Sequence, residues 1–138
     1  MRVISEFIVF LPAPAWAATR EFYERVLGLR VALEQTDCVI YQVAGTGYVG
    51  FCQRAETPQP AERVILTLVS SEVEAWYAHL QAHGVEIPKP PTWNERYQIY
   101  HLFARDPNGY LIEIQRFEDP RWVEQIRPHP ADSPNVLC

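Results

Sequence analysis

One carboxylate stands among apolar residues late in the chain. Glu113 lies in GYLIEIQ, residues 109–115, and a near-copy of that stretch, GYVGFCQ at residues 47–53, puts Phe51 in the same place. Shortly upstream, His101 sits in YQIYHLFA, residues 97–104. Between the two, Asp106-Pro107-Asn108-Gly109 is strong turn chemistry, with proline second and glycine fourth. A type I turn closed by a glycine bulge, with residues 106–108 as its loop, pairs His101 with Glu113 and Phe103 with Leu111 across a hairpin. A carboxylate and an imidazole so placed can act as general base and acid toward a bound carbonyl compound. They can equally orient a ligand, or satisfy each other across the strands.

The elements that must position these groups occur twice. VISEFIVFL, residues 3–11, reads as a strand. In AWAATREFYERVLG, residues 15–28, Trp16, Tyr23, Val26 and Leu27 recur at helical spacing, with Pro14 suited to the first turn and Gly28 to the residue after the end. LRVALEQ, DCVIYQVA and YVGFCQR follow as strands. The first-copy register pairs Val39 with Phe51 and Tyr41 with Val49, and sets Cys38 opposite Cys52.

Beyond the proline-bearing RAETPQPAE, residues 54–62, the order repeats. RVILTLV reads as a strand. Ser71 and Glu74 offer a capping box to a helix whose buried stripe is Val73, Trp76, Tyr77 and Leu80, ended by Gly84. VEI, residues 85–87, reads as a short strand and PKPPTWNER, residues 88–96, as a loop. The chain is thus expected to be α+β, with two tandem βαβββ modules at residues 1–56 and 63–118 joined by a linker at 57–62. A proline-rich tail, 119–138, reads as an extended segment with Trp122 and Val123 as its sticky point.

Composition narrows the function classes. The 138 residues are 48% hydrophobic and 21% charged, which is ordinary for a globular chain. A net charge of -5 with scattered Lys and Arg argues against a nucleic-acid partner, which needs a basic stripe. The start faintly resembles a secretory signal, but Glu6 interrupts its apolar run and Pro12 and Pro14 break it. No apolar run approaches the roughly 20 residues of a membrane span. Cys38, Cys52 and Cys138 form no metal-ligand spacing, and reduced thiols in a cytoplasmic protein are expected.

EFYERVLGL, then HGVEI, then DPNGYLIEIQ together resemble the vicinal oxygen chelate superfamily of glyoxalases, bleomycin-resistance proteins and extradiol dioxygenases. The resemblance covers residues 1 to 118 or so. It implies a cup-like half-barrel built from the two modules, with helices on the convex side and a ligand on the concave side. Metal-dependent members hold their ion through the first and last strands of each module. By spacing, those positions fall on Ile8, Ile65, Phe51 and Glu113. Three of the four are apolar, whereas a divalent ion wants three or more protein ligands, so no metal and no other cofactor is expected.

Strand alternation from Glu113 projects the lining of the implied cup. It holds Leu111, Gln115, His101, Phe103 and Ile99, then Phe51, Val49, Val39, Tyr41 and Val43, with Glu6, Ile8, Phe10, Ile65, Thr67 and Val69 from the first strands. Trp93 and Arg96 lie in the loop expected over its mouth. The favoured function is metal-free binding of a small, partly aromatic or amphipathic molecule. The alternatives are an isomerase, lyase or hydrolase with Glu113 as base, or a metal-dependent lyase or dioxygenase. A homodimer is expected, as relatives often complete their cups across a two-fold.

Overall fold

A computed structural model describes residues 2–125 of the chain. Its strands form two four-stranded sheets of like topology. The first contains β1 (Phe7–Pro12), β2 (Arg30–Glu34), β3 (Cys38–Ala44) and β4 (Gly47–Cys52), in the order β1-β4-β3-β2. The second contains β5 (Ile65–Val69), β6 (Lys89–Asn94), β7 (Ile99–Arg105) and β8 (Leu111–Phe117), in the order β5-β8-β7-β6. In each, the first strand pairs parallel with the last and the remaining neighbours pair antiparallel. α1 (Trp16–Glu21), prolonged by a π-helical stretch at Phe22–Val26, belongs to the first module and α2 (Val73–Ala82) to the second. This is the expected α+β fold of two tandem βαβββ units.

One apolar core serves both modules. Tyr23 from the π-helical stretch packs its ring on Phe51 and Tyr41, with centroids 4.4 and 5.8 Å away, and Val73, Leu80, Leu102, Ile112 and Ile114 continue the same buried cluster. Gly84 ends α2 at φ +68, where Val85 N–H reaches back to the Leu80 carbonyl at 3.1 Å.

Four local expectations give way. The capping box at Ser71 does not form, because α2 starts at Val73, Ser70 Oγ accepts from Glu72 N–H at 3.1 Å, and Glu74 is engaged by the Tyr100 hydroxyl. VEI is not a strand, and the segment expected as a loop supplies β6 instead. Pro90 and Pro91 fit there because β6 is an edge and its register shifts between Lys89 and Thr92, so no ladder donor is missed. The start of the tail is α3 (Pro120–Gln125), where Trp122 stacks on Phe117 at 4.2 Å; the rest of the tail, with Cys138, lies outside the described residues. Finally, Cys38 and Cys52 are joined in a disulfide rather than free, because their direct pairing brings the Cα atoms to 4.2 Å.

The modules are fastened by the turn after β7. Asp106, buried, accepts from Asn108 N–H at 2.8 Å, from Tyr110 N–H at 2.9 Å and from the Tyr23 hydroxyl of the first module at 2.8 Å. Asn108 Oδ1 accepts from Ala15 N–H, just before α1, at 3.1 Å, and its amide donates to Thr19 Oγ1 at 2.9 Å. The Tyr110 hydroxyl donates to the Pro12 carbonyl at 2.6 Å. Burial pushes the Asp106 carboxyl up from its ordinary range, with the donors around it pulling the other way.

Two outcomes follow. Asn108→Ala strands the Ala15 N–H and removes a donor from Thr19 Oγ1, and should cost about 1–3 kcal/mol in urea unfolding. Burial raises the Tyr23, Tyr41 and Tyr110 hydroxyls, Tyr110 to about 12, helped in turn by the charge of Asp106, the Glu24 hydrogen bond and Asp106 again. The folded chain then keeps protons that the unfolded chain releases near pH 10, so stability is full below that pH and falls above it. Calorimetry between neutral pH and pH 11 should show a falling Tm, and Tyr23→Phe should flatten the drop.

Candidate functional site

In the second sheet, side chains alternate between a face packed on the core and a face that α1 and α2 leave uncovered, where α3 reaches only the end of β8 through Trp122 on Phe117. Leu66, Leu68, Leu102, Ala104, Ile112 and Ile114 take the core side. The helix-free side carries Ile65, Thr67 and Val69 of β5, Glu113 and Gln115 of β8, and Ile99, His101 and Phe103 of β7. Its centre is polar. Glu113 Oε1 accepts from the Thr67 hydroxyl at 2.8 Å and Oε2 from His101 Nδ1 at 2.7 Å. Gln115, with its amide nitrogen turned toward the carboxylate, adds donors at 3.1 and 3.2 Å. The Glu113 and His101 side chains keep only 12% and 4% of their exposure. A carboxylate only accepts, so Nδ1 carries the proton and Nε2 faces the other way, buried and without a partner. The Phe103 ring stands edge-on to the imidazole at 5.3 Å, and Lys89 Nζ lies 6.0 Å from that ring.

The contact arises from a register other than the expected one. His101 pairs with Gln115 and Phe103 with Glu113, so His101 meets Glu113 diagonally. Asp106 is the cause. Its N–H donates to the Tyr110 carbonyl at 2.9 Å while its carboxylate holds the two following turn amides. The three-residue loop is therefore 107–109 rather than 106–108. One residue slides on each strand, which preserves the faces.

The first sheet departs further. Phe51 and Tyr41 were expected in the cup, with Val39, Val43 and Val49. All five lie on the helix side; Tyr41 and Phe51 stack under Tyr23, and the Tyr41 hydroxyl donates to Glu24 at 2.8 Å. The helix-free face there carries Ile8 and Phe10 of β1, Ile40 of β3 and Tyr48, Gly50 and Cys52 of β4. GYVGFCQ and GYLIEIQ look alike yet run one residue out of phase, because the first hairpin turns on Gly45 and Thr46 alone. Ile8 pairs with Tyr48 as Ile65 pairs with Leu111, and Phe10 with Gly50 as Thr67 with Glu113. Gly50, not Phe51, thus stands where Glu113 stands in the other module. A Cβ on Gly50 would come within 2.5 Å of the Phe10 ring, which fills the space a side chain would need.

Trp93 and Arg96, expected in a loop over the mouth of the cup, do not cover this face. Trp93 sits on β6 opposite Tyr100, on the other side of the sheet from His101, with its indole N–H on Glu95 at 2.6 Å. Arg96 lies over the Tyr97 ring at 5.4 Å in the hairpin turn. Sequence reasoning therefore brought together Glu113, His101, Thr67, Gln115, Phe103 and Ile65, placed Ile8 on the equivalent face of the other module, and misplaced Phe51, Tyr41, Trp93 and Arg96. It missed Gly50 and Lys89, and only the loop-length difference between the hairpins could have revealed Gly50. An apolar cavity of about 270 Å³ lies between the modules, lined by Val9, Tyr23, Val49 and Leu66 among others, and shares Ile65 and Thr67 of β5 with this face.

A family model for the glyoxalase/bleomycin resistance protein/dioxygenase superfamily matches residues 8–114. The chain belongs to that superfamily. Among solved structures of the fold, it is similar to a glyoxalase/bleomycin resistance protein/dioxygenase from Nocardioides, with 19% identity, TM-score 0.70 and 86% of each chain covered. A lactoylglutathione lyase from Agrobacterium tumefaciens matches at 20% identity and TM-score 0.64, over 79% of this chain and 90% of that one. A glyoxalase domain-containing protein of Mycosarcoma maydis, RDO1, is 26% identical over 73 residues, 51% of this chain and 42% of that protein, so the match spans under half of the curated relative.

The superfamily's metal-dependent members invite a test of fit, and the residues here do not fit a divalent ion. The four corresponding positions are Ile8, Gly50, Ile65 and Glu113, and among the described residues no three His, Cys, Asp or Glu side chains converge. Gly50→Ala should then destabilise the fold by about 1–3 kcal/mol through overpacking against Phe10. Adding Phe10→Ala should recover most of that loss in a denaturant titration.

Proposed function

We propose that this superfamily member binds a small, partly aromatic or amphipathic molecule on its helix-free faces, without a metal ion. The observation that carries the proposal is the state of Glu113. Both of its oxygens already accept hydrogen bonds from Thr67, His101 and Gln115. Those donors occupy the lone pairs an ion or an incoming proton would need, and leave the carboxylate as a fixed polar marker. Around it Ile65, Val69 and Phe103 make an apolar floor, the usual mix of a small-molecule site. His101 Nε2 is the atom a ligand hydroxyl or amide would address, once the Phe103 ring swings aside.

Two copies complete the site in this proposal. Ile8, Phe10, Ile65 and Val69 are 40, 52, 47 and 54% exposed, an apolar surface that suits a partner more than water. The cytoplasm is the proposed compartment; no helix among the described residues is long and apolar enough to cross a membrane.

One observation favours an enzymatic alternative, the 2.7 Å contact of His101 with Glu113, which would pair an acid and a base in an isomerase, lyase or hydrolase. The binding proposal expects substoichiometric metal by elemental analysis of protein purified without chelator, and saturable binding of the apolar dye anilinonaphthalene sulfonate. Sedimentation should give a dimer; Phe10→Asp should abolish it together with dye binding, while Glu113→Gln leaves both nearly intact. A stoichiometric tightly held metal would refute the proposal. A substrate turned over by the wild type and not by Glu113→Gln, at similar affinity, would establish the enzyme instead.

A further inference from the structure

We propose that Cys38 and Cys52 form a reversible dithiol–disulfide site on the helix-free face of the first module, one that exchanges with low-molecular-weight thiols and disulfides of the glutathione class. The pair goes beyond the ligand proposal and does not depend on it.

Three observations point the same way. First, the sulfurs are held together whether or not they are bonded. Cys38 and Cys52 face each other directly across β3 and β4, flanked by Gln35 N–H on the Cys38 carbonyl and Gln53 N–H on the Asp37 carbonyl, each at 2.8 Å. An Arg54–Asp37 ion pair at 2.9 Å closes the same end. The backbone ladder continues from Val39 and Phe51 without help from sulfur. Second, the bond spans a sequence separation of 14 residues that are already one hairpin. Beyond that end of the hairpin it constrains little that the strands do not, unlike a bridge between distant segments. Third, both cysteines are half-buried rather than enclosed, on the face without helices, and thiol–disulfide exchange depends on access to a sulfur.

The chemistry closes without another reactant. In oxidation, one cysteine thiolate attacks a sulfur of the low-molecular-weight disulfide, forming a mixed disulfide and releasing one thiolate. The second cysteine, losing its proton, attacks the protein-side sulfur, which forms the Cys38–Cys52 bond and releases the second thiolate. The protein gives up two electrons and two protons, and the small disulfide becomes two thiols. Reduction runs the same steps backward. Because the pair ties the end of β4 from which the linker leaves, its state sets how firmly that end is held.

The test uses the full-length chain carrying Cys138→Ser, equilibrated in glutathione buffers of graded redox ratio. Mass spectrometry with peptide mapping should show complete interconversion between dithiol and a Cys38–Cys52 disulfide, with unchanged far-ultraviolet circular dichroism in both states. Hydrogen exchange at the Gln35 and Gln53 amides should be several-fold faster in the reduced form, and amides of β7 and β8 unaffected. In Cys38→Ser the remaining cysteine should gain only a glutathione adduct. Absence of the internal disulfide in the most oxidising buffer would overturn the proposal, as would loss of the fold on reduction. So would equal exchange in both states. If Cys38→Ser fails to fold, Cys52→Ser reports the same adduct.

Discussion

The carboxylate of Asp106 holds two separate parts of this molecule in place. It accepts the amides of Asn108 and Tyr110 and so chooses which residues form the loop between β7 and β8. It also accepts the hydroxyl of Tyr23, reaching from one module into the other. Shift the loop and the pairing of β7 with β8 moves, and with it the diagonal on which His101 meets Glu113. Lose the tyrosine contact and the helix that covers the first sheet keeps only the Asn108 bonds to Ala15 and Thr19 as polar ties to the second. A buried acid is a costly anchor unless its lone pairs are filled, and here four donors from three residues fill them.

The second governing constraint is that a strand alternates its side chains with a period of two. The hairpins of the two modules differ in loop length, and that difference inverts which residues of β4 look away from the helices. The outcome is a marked asymmetry between copies of one unit. One presents a carboxylate wrapped by donors, and the other presents a glycine with an aromatic ring lying across it. The place that answers Glu113 in the first module is filled by the Phe10 ring, and the polarity of these faces is concentrated in the second module.

Much of the fold was legible because it rests on signals that repeat: helical stripes closed by Gly28 and Gly84, apolar strands, and DPNG between the last two. The face of the second sheet was legible as well, since an error of one residue on both strands cancels in parity. The first sheet was not, because similar letters in GYVGFCQ and GYLIEIQ hid a phase difference that resides in the turns. β6 was read as a loop on account of its prolines, although an edge tolerates them. The disulfide was discounted although the register that sets Cys38 against Cys52 was read correctly. The Gln115 contribution to the carboxylate needed only parity, whereas the pairing of Glu74 with Tyr100 needed the tertiary structure.

The prolines of β6 bear on how copies of this chain can meet. Pro90 and Pro91 offer no backbone donors, and β2, the outer edge of the other sheet, is kinked between Val31 and Leu33 and bears Arg30 and Glu34. Both outer rims are thereby poor templates for strand addition, the route by which sheet proteins polymerise without limit. The exposed apolar side chains lie instead on the broad faces, at Ile8, Phe10, Ile65 and Val69. At β2 and β6, then, the sequence of the border itself works against an open-ended ladder of strands.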